Sequence, residues 1–425
     1  MLQKAPQPAS SAVNGSSGGC RFCGTPLQHT FVDLGMSPLC ESWLSADELN
    51  RMEPFYPLHA FVCERCFLVQ VKAYVRGENI FTSEYAYFSS YSRSWLEHAA
   101  RYVEMITARL GLHAGSQVVE VASNDGYLLK NFAQRGIPAL GIEPAAGCAA
   151  AAERVGVTTR VMFFGHETAR ALREEGIRAD LLLGNNVLAH VPDLNDFVAG
   201  IHVLLADDGV STWEFPHLLR LIESVQFDTI YQEHYCYFSL LFVEQLFQAH
   251  GLVVFDVEQL PTHGGSLRIY VRHAERGREV SPAVEQLREL ERAAGLDTLR
   301  PYAEFTERVR DVKHALLEFL IRARREGKRV AGYGAPGKAA TLLNYCGIRE
   351  DLLEYTVDRS PHKQGRYMPG VHIPVFAPEK LEATRPDYIL ILPWNLKDEI
   401  AEQLAYARQW GAKLVVPIPR VEVLS

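Results

Sequence analysis

The sequence predicts an α/β protein built from a small cysteine-rich module at the amino terminus and two Rossmann-like domains. Three observations predict this organisation: two Cys-x-x-Cys pairs, a strand–turn–helix–strand pattern over Val118–Pro144, and a second strand and glycine-rich turn that begin at Arg329. A chain of 425 residues is long enough for about two or three domains with real hydrophobic cores. The expected boundaries are a disordered tail at 1–18, the cysteine module at 19–75, a central domain at 76–275 and a carboxy-terminal domain at 276–425.

Composition and charge exclude several classes of function. The formal net charge is −8 and there is no basic tract, which argues against a nucleic-acid-binding protein. No apolar run is long enough to span a bilayer, and the first residues lack the hydrophobic segment of a signal peptide. We therefore expect a cytoplasmic monomer that binds neither nucleic acid nor membranes. In that compartment the eight cysteines are expected to be thiols or metal ligands rather than disulfides.

The cysteine module is the first element in chain order. Cys20 and Cys23 form one Cys-x-x-Cys pair, and Cys63 and Cys66 form a second, with 39 residues between the pairs. Four thiolates suit one tetrahedral Zn²⁺, and because they leave no open coordination position the zinc is expected to be structural. The separation exceeds that of a usual zinc ribbon, so the intervening segment, including Cys40, is expected to loop out. Two pairs of ordinary buried thiols are the alternative.

The central domain shows alternating helix and strand patterns. Apolar residues recur at helical spacing from about 95 to 112, and the chain then enters the strand at Val118. A buried fourth strand with a polar end is expected over Ala179–Val191, followed by a helix over Asp193–Leu205 and a strand over Gly209–Phe215. This order is typical of an α/β sheet with a nucleotide site at its strand ends.

The turn after the first of these strands carries the cofactor signal. SAM-dependent methyltransferases usually have Glu-x-Gly-x-Gly-x-Gly here; Glu120 and Gly126 match its ends, whereas Ala122 and Asn124 replace the middle glycines. An acidic residue at the end of the next strand, Glu143, suits the ribose hydroxyls of an adenosine. The alternative is an ordinary parallel-sheet core with a polar loop. The candidate cofactor-binding residues are Glu120, Ser123, Asn124, Asp125, Gly126, Glu143, Pro144, Asn185 and Asn186.

One segment, Asp228–Ser239, has neither helical nor strand alternation. It concentrates one imidazole, His234, with two carboxylates and three phenols. Histidine is the usual general base near neutral pH, and a neighbouring carboxylate or phenol can tune its pKa. A surface loop with a hydrogen-bonded histidine is the alternative. A second segment, Tyr85–Trp95, is dense in aromatic residues, which is typical of a core, but its serines and phenols would suit the wall of a pocket for a polar ring.

The carboxy-terminal domain contains the most ambiguous motif. Gly332, Gly334 and Gly337 match Gly-x-Gly-x-x-Gly, and Asp358 lies where an NAD-binding domain has its ribose acid. The same letters give most of a P-loop, but Ala339 replaces the Ser or Thr that would ligate Mg²⁺. The turn therefore binds either NAD or another phosphate. Further candidate ligands of a phosphate, a base or a sugar are Lys338, Lys363, Arg366 and Trp394.

A set of motifs in a fixed order resembles a known family. The paired Cys-x-x-Cys knuckles are followed by YAYFSSYSRSW, VEVASNDG, GIEP, NNVLAH, YQEHYCYFS, HGGSLR and GYGAPGKA. This order, from Cys20 to about Pro417, resembles the zinc-containing, SAM-dependent C-methyltransferases that act on TDP-linked 4-keto-deoxysugars, the sugar C-3′-methyltransferases. Phe88 departs from the pattern, because some members carry a tyrosine there, so a role for a hydroxyl at this position is left open.

The resemblance implies a small zinc module, a central Rossmann-like class I methyltransferase domain and a carboxy-terminal Rossmann-like domain that holds the nucleotide sugar. It implies that the four cysteines are the zinc ligands and that His234 is the base. Residues implied to line the reacting sugar are Tyr231, Glu233, His190 and Tyr85, and Tyr91 in the same aromatic segment is a further substrate-binding candidate. It also favours binding of the TDP pyrophosphate, rather than NAD, at the glycine-rich turn.

The expected reaction is methylation of carbon 3 of a TDP-4-keto-deoxyhexose. A C–H bond is not a nucleophile, but the ketone at C4 acidifies the C3 proton, so a base can produce an enolate. A donor near the C4 oxygen, Tyr231 or His190, is expected to stabilise the enolate charge. Two other functions are left open: an NAD-dependent sugar-nucleotide oxidoreductase that uses Gly332–Gly337, and a non-catalytic sugar-nucleotide-binding protein.

Overall fold

The computed structural model describes residues 18–75, 88–277 and 279–424. Tyr85 and the predicted tail, apart from Gly18, lie outside these described residues. The first of three sheets has the order β1-β2-β3-β9, with antiparallel neighbours throughout. Its strands are β1 (His29–Ser37), β2 (Tyr56–Val62), β3 (Val69–Val71) and β9 (Cys236–Tyr237). The segment between the two cysteine pairs is therefore more than a loop, because it contains β1 and β2.

The central domain is a seven-stranded sheet with the order β10-β11-β8-β7-β4-β5-β6. Its strands are β4 (Val118–Val121), β5 (Ala139–Ile142), β6 (Thr158–Arg160), β7 (Ala179–Asn185), β8 (Leu205–Pro216), β10 (Leu252–Leu260) and β11 (Ser266–His273). The strands from β6 to β8 are parallel, and β11 and β10 are added antiparallel. The chain order reverses between β4 and β7, which places a ligand crevice at the carboxyl ends of these two strands.

Helices connect and cover these strands. They are α1 (Arg93–Leu110), α2 (Leu129–Ala133), α3 (Ala146–Arg154), α4 (His166–Glu174), α5 (Leu194–Leu204), α6 (Leu218–Glu223) and α7 (Leu240–Ala249). The sequence signals at the ends of α1 are clear: the Ser92 hydroxyl accepts a hydrogen bond from the Trp95 amide, and Gly111 stops the helix in the left-handed conformation with φ 64°. The buried face of α1, including Tyr102 and Ile106, packs on the sheet.

The carboxy-terminal domain is a six-stranded sheet with the order β14-β13-β12-β15-β16-β17, of which only β17 is antiparallel to its neighbour. Its strands are β12 (Val330–Tyr333), β13 (Thr356–Val357), β14 (Val375–Phe376), β15 (Tyr388–Ile391), β16 (Lys413–Val416) and β17 (Glu422–Leu424). The helices are α8 (Pro282–Ala293), α9 (Arg300–Arg325), α10 (Gly337–Cys346), α11 (Lys380–Thr384) and α12 (Lys397–Gln403).

The small sheet lies between the two larger domains. Phe31 of β1 stacks on Phe305 of α9 with ring centroids 4.3 Å apart, so one side of the small sheet shares a core with the carboxy-terminal domain. The cysteine knuckles pack on the central domain instead: Phe22 meets Phe242 of α7 edge to face at 5.5 Å, and the Arg21 guanidinium donates to the Pro192 carbonyl. The module thus contacts both domains.

Residues 38–55, which connect β1 to β2, form a strap over the carboxy-terminal domain. Leu44 and Tyr367 exchange two backbone hydrogen bonds of 3.1 and 2.9 Å. The Glu53 carboxylate accepts hydrogen bonds from the Gly370 amide at 2.7 Å and the His372 imidazole at 2.9 Å. The strap therefore joins the cysteine module to the domain that carries the glycine-rich turn. Within the described ranges, no helix has both the length and the hydrophobicity needed to cross a bilayer.

Candidate active site

The four predicted zinc ligands come together. All four sulfur atoms lie within 4.8 Å of one another, and the closest pairs, Cys20–Cys66 and Cys23–Cys63, are each 3.5 Å apart. Tetrahedral coordination with Zn–S bonds of about 2.3 Å requires sulfur atoms about 3.8 Å apart, so the four thiols are grouped closely enough to hold one zinc ion. The Gln70 amide donates to the Cys20 sulfur at 3.2 Å, which is the kind of outer contact that orients a metal ligand.

The turn after β4 forms the predicted cofactor crevice. Ala122 and Asn124 adopt left-handed conformations, with φ of 55° and 50°, where the usual methyltransferase motif has glycines. The Glu143 carboxylate fixes this turn by accepting hydrogen bonds from the Asn124 amide at 2.9 Å and the Ala145 amide at 2.8 Å. At Gly126, with φ 75°, an added Cβ would lie 3.2 Å from Ala152, so a side chain would be both strained and crowded.

Several buried polar atoms in this crevice have no hydrogen-bond partner in the part of the chain that the structure describes. Neither carboxylate oxygen of Glu120 has a hydrogen bond of normal geometry there, and the same holds for Ser123 Oγ, Asp125 Oδ1 and Asn186 Oδ1. Buried polar groups are normally hydrogen-bonded, so these atoms are candidates for contact with a polar ligand. The ammonium, carboxylate and ribose hydroxyls of SAM would satisfy such atoms. The residues present therefore fit SAM.

Burial and neighbouring groups set the charge of this crevice. Burial raises the pKa of Glu120 well above its usual value, although the nearby Tyr127 phenol acts in the opposite direction. Burial also raises the pKa of Glu143, and its two backbone donors offset part of that rise.

Across the crevice, the Asn185 amide donates to the Tyr127 hydroxyl at 3.3 Å, so the end of β7 faces the turn after β4.

The aromatic segment closes over the same turn. The Ser89 amide donates to Asn124 Oδ1 at 2.9 Å, and the Ser90 amide donates to Asp125 Oδ2 at 3.1 Å. Tyr91, the next residue, is exposed, and its hydroxyl lies 3.3 Å from the imidazole of His362 in the carboxy-terminal domain. This segment therefore spans from the cofactor crevice to the second Rossmann-like domain.

The candidate base lies in residues 228–235, here called the histidine loop. His234 Nδ1 is 2.9 Å from the Thr229 carbonyl, and because a carbonyl can only accept, Nδ1 carries the proton. Nε2 is therefore the lone-pair nitrogen, and it accepts a hydrogen bond of 2.9 Å from the Tyr231 hydroxyl. The ring of His190, from the turn after β7, lies 4.7 Å from that of His234. Tyr231, His234 and His190 are each partly exposed, so they border a space open to solvent, here called the cleft.

These imidazoles are held neutral. Burial, reinforced by His190, lowers the pKa of His234 well below its usual value. Burial lowers the pKa of His190 to about 4, and contact with the Glu233 backbone offsets this only in part. A neutral imidazole, whose lone pair carries no proton, is the form that can act as a base.

Glu233 lies on the other side of the histidine loop and contacts the strap. Its carboxylate oxygen Oε1 is 3.6 Å from the Cys40 sulfur. Burial, with a contribution from the negative charge of Glu41, raises the pKa of Glu233 to about 7. Cys40 is thus separate from the four zinc ligands and faces a carboxylate.

The predicted substrate ligands of the carboxy-terminal domain fall into two groups. Lys338 hydrogen-bonds Asn395, and its ammonium lies 4.5 Å from the ring centre of Trp394, whose indole N–H donates to Asp228 of the histidine loop at 2.7 Å. Asp358 and Lys363 instead bind the backbone of the glycine-rich turn: Asp358 accepts from the Ala335 amide, and Lys363 donates to the Ala335 carbonyl. Arg366 is exposed. Only the first group reaches the histidine loop.

Sequence reasoning gave no role to a buried charge network beside this loop. Glu214, at the end of β8, accepts hydrogen bonds from His98 at 2.8 Å, from Arg268 at 2.7 Å and from the Thr262 hydroxyl at 2.9 Å. Although burial acts to raise its pKa, His98 and Arg268 hold the pKa of Glu214 below its usual value. The sequence feature that could have indicated this network is the HGGSLR motif, which includes Arg268 and directly follows Thr262.

Comparison with known proteins identifies the family. Three family profiles match in order along the chain: a putative zinc binding domain over residues 20–81, a methyltransferase domain over 95–257 and a C-methyltransferase C-terminal domain over 261–419. The chain is 36% identical to the C-methyltransferase NovU of Streptomyces niveus over 406 residues, which cover 96% of each protein. The chain belongs to the C-methyltransferase family. It is a SAM-dependent C-methyltransferase with a zinc-binding module, as the sequence predicted.

Solved structures similar to this C-methyltransferase include two whose matches each cover less than half of it. Magnesium protoporphyrin IX methyltransferase (ChlM) of Synechocystis PCC 6803 with bound SAM is 14% identical, with 42% of this chain and 80% of that chain covered and a TM-score of 0.32. Protein PH0226 of Pyrococcus horikoshii OT3 is 13% identical, with 44% and 94% covered and a TM-score of 0.36.

Proposed function

We propose that this C-methyltransferase methylates carbon 3 of a TDP-linked 4-keto-deoxyhexose through an enolate that His234 generates. The family supplies the class of reaction, and the imidazole–phenol pair of His234 and Tyr231 at the cleft is the observation that carries the mechanism. Carbon methylation requires a carbon nucleophile. A ketone beside the reacting carbon makes its proton acidic enough for an imidazole to remove.

The proton acceptor is Nε2 of His234. Its partner atom Nδ1 is fixed by the Thr229 carbonyl, so the ring can neither flip nor change tautomer without losing a hydrogen bond of 2.9 Å. The Tyr231 hydroxyl donates to Nε2, so it has to turn away from this atom before the C3 proton can move there. It is then available to donate to the C4 oxygen, where the negative charge of the enolate develops.

A second donor for the C4 oxygen is His190. Its ring lies against that of His234, and its lowered pKa keeps it neutral with a single N–H. To stabilise the enolate as a donor, this N–H would have to turn from the Glu233 backbone to the C4 oxygen. With a pKa of about 7, the Glu233 carboxyl is about half protonated near neutral pH. It lies on the side of the histidine loop that contacts the strap. Tyr85, which lies outside the described residues, completes the proposed set around the sugar.

The chain's own residues would hold SAM in the crevice at the ends of β4 and β7. Glu120, Asn124, Asp125 and Asn186 would receive its amino-acid part, and Glu143 would face its ribose. When bound, SAM supplies an electrophilic methyl group. The histidine loop contacts His190 after β7, and the end of β7 contacts Tyr127 after the β4 turn, which supports the proposal that the chain brings the enolate carbon and the cofactor together.

The test is hydrogen exchange at carbon 3 of a TDP-4-keto-6-deoxyhexose in deuterated water. The protein is expected to accelerate this exchange, and His234→Asn is expected to slow it by about 100-fold or more, because the asparagine amide can replace Nδ1–H but provides no base at the position of Nε2. The partly exposed His166, which pairs with Glu167 on α4, provides the matched control His166→Asn. Unimpaired exchange by His234→Asn would remove the base assignment.

A further inference from the structure

The orientation of the proposed base depends on one backbone carbonyl. His234 Nδ1 donates to the Thr229 carbonyl at 2.9 Å, and this contact leaves Nε2 as the nitrogen that can accept a proton. Thr229 is the last residue of a single helical turn, Phe227–Thr229. An isolated helical turn is not stable by itself, so the position of this carbonyl depends on the residues that surround the turn.

Helix α10 of the carboxy-terminal domain packs against this turn with one face. Thr341 and Tyr345 are four residues apart in α10 and therefore lie on the same side of it. The Tyr345 ring meets the Phe227 ring at 5.4 Å, and the Thr341 hydroxyl donates to the Ile230 carbonyl at 2.9 Å. A threonine within a helix can bond a carbonyl of its own helix, but the buried Thr341 bonds across the domain boundary instead.

Trp394, which follows β15, holds the residue on the other side of Thr229. Its indole N–H donates to Asp228 Oδ2 at 2.7 Å, and Asp228 Oδ1 is buried with no hydrogen-bond partner within the described ranges. Burial raises the pKa of Asp228 to about 6, and the nearby Lys338 ammonium opposes this rise. At a pH of about 7.5 the carboxylate is therefore ionised, and its bond to Trp394 is charge-assisted.

Trp394 is enclosed by protein. Only 7% of its surface is exposed, and the Lys338 ammonium lies 4.5 Å from the centre of its ring. A Cβ added to Gly264 would lie 2.8 Å from the benzene part of the indole. Little of the ring surface is left on which a base or a sugar could stack.

We propose that Thr341 and Trp394 are positioning residues for the base. By holding the residues on either side of Thr229, they aim its carbonyl at Nδ1 of His234 and so fix the tautomer and the orientation of the imidazole. This assignment rests on the proposed function of His234. It gives the carboxy-terminal domain a role in proton removal, although both residues act through the histidine loop and contact no reacting atom.

Exchange kinetics of the full-length, zinc-loaded protein test the assignment. Thr341→Val and Trp394→Phe each remove one hydrogen bond with little change of shape. Each is expected to lower kcat for C3 hydrogen exchange by about tenfold or more, because a displaced base is costly, while KM and SAM affinity stay within about twofold. Thr341→Ser keeps the hydroxyl and is expected to retain most of the wild-type rate. Trp410→Phe is the matched control, because the Trp410 indole N–H donates to the Pro386 carbonyl in the same domain.

The tautomer of His234 gives a second readout, which a loss of stability alone would not change. Nitrogen NMR spectra of protein with isotope-labelled histidine side chains distinguish the two neutral tautomers, and His234→Asn identifies the His234 signals by their absence. The wild type is expected to carry its proton on Nδ1, whereas Thr341→Val and Trp394→Phe are expected to show a mixture with the Nε2-protonated form. Thr341→Val leaves no charge unpaired, so it supplies the result if Trp394→Phe does not fold.

The possible results separate the positioning role from the proposed function. If Thr341→Val and Trp394→Phe keep the wild-type kcat and tautomer, the positioning role is wrong and His234 is still the proposed base. A raised KM with unchanged kcat would also overturn it, because these side chains would then contact the substrate. Full exchange activity in His234→Asn would instead contradict the proposed function, and the tautomer comparison would still show whether the two contacts orient the ring.

Discussion

Burial of a carboxylate lowers the stability of a fold, and Glu120, a proposed SAM ligand, is a clear case in this enzyme. Its pKa in the folded chain is raised above the ordinary value of 4.5, so ionisation disfavours the fold, and this cost grows as pH rises from that value towards the folded pKa. Glu120→Gln is therefore expected to raise the melting temperature at a pH of about 7.5 by a few degrees. It should also weaken SAM binding by about tenfold or more, because a charged acceptor is lost.

Thermal melting and calorimetric titration with SAM measure the two effects. Glu153, an exposed residue at the end of α3, provides the control Glu153→Gln, which should change neither quantity. A Glu120→Gln variant that melts at the wild-type temperature and binds SAM normally would show that the carboxylate is not held for the cofactor.

Glu233 makes a separate prediction about pH. Its pKa rises from 4.5 to about 7 on folding, so the protonated form is favoured in the fold and stability is lost as pH rises through this interval. Glu233→Gln is expected to remove a fall in unfolding free energy of about 2 kcal/mol between a pH of about 5 and one of about 7.5. Chemical denaturation of both proteins at the two pH values measures this difference. If the unfolding free energy of Glu233→Gln depended on pH as that of the wild type does, the Glu233 carboxylate would lie in a more polar environment than its contact with Cys40 indicates.

Some candidate site residues could be placed in the fold from the sequence better than others, for a physical reason. Asn124, Glu143 and His234 belong to short motifs in which local spacing fixes the geometry, so they could be placed from the chain alone. The hydrogen bond from Trp394 to Asp228 joins residues 166 positions apart and depends on how two domains pack. Cys40 could be seen only as a cysteine outside the pairs, because its contact with Glu233 spans 193 positions.

At the level of elements, the strand β9 explains how zinc can influence a distant reaction. It begins two residues after His234 and pairs with β3, which closely follows the second cysteine knuckle: Gln70 is opposite Cys236 and Val69 is opposite Tyr237. The Val71 amide also donates to the Tyr235 carbonyl at 3.0 Å. The zinc module thereby sets the position of the histidine loop, although it contributes no group to the proposed proton transfer.

Removal of zinc is expected to affect the two ligand sites differently. Chelation should slow C3 hydrogen exchange by about 100-fold, since a small displacement of a base is costly, whereas SAM binding at the β4 turn should be largely retained. Exchange assays and SAM titrations before and after chelation, with zinc added back as the control, measure this difference. Normal exchange by fully zinc-free protein would show that the knuckles do not position the loop.

Elements with a clear hydrophobic periodicity could be predicted from the sequence, whereas very short elements could not. Helix α1, with its serine cap, its glycine stop and its apolar stripe, was expected at 95–112 and spans Arg93–Leu110. The two-residue strand β9 has too few residues to show any period, and its partner β3 belongs to the amino-terminal module, far earlier in the chain. Hydrophobic periodicity reports local burial, not which distant strand supplies the hydrogen bonds.

At the scale of the whole molecule, the order of its parts followed from the sequence, whereas their arrangement did not. The predicted fold class and the methyltransferase activity are confirmed by the family match. The small sheet between the two larger domains, and the strap that ties it to Tyr367 and His372, could not be read from composition or motif order, because they consist of long-range contacts. The monomeric state and the cytoplasmic location stay predictions.

The pairing of β9 with β3 has a practical consequence for engineering. A chimera that exchanges the amino-terminal module for that of a relative would also replace the neighbour on which residues 236–237 are aligned. Swapping at the boundary near residue 75 alone would leave a foreign β3 beside the native edge strand β9. A functional hybrid would need a discontinuous graft, in which the donor supplies both the module and the short stretch around residues 228–238.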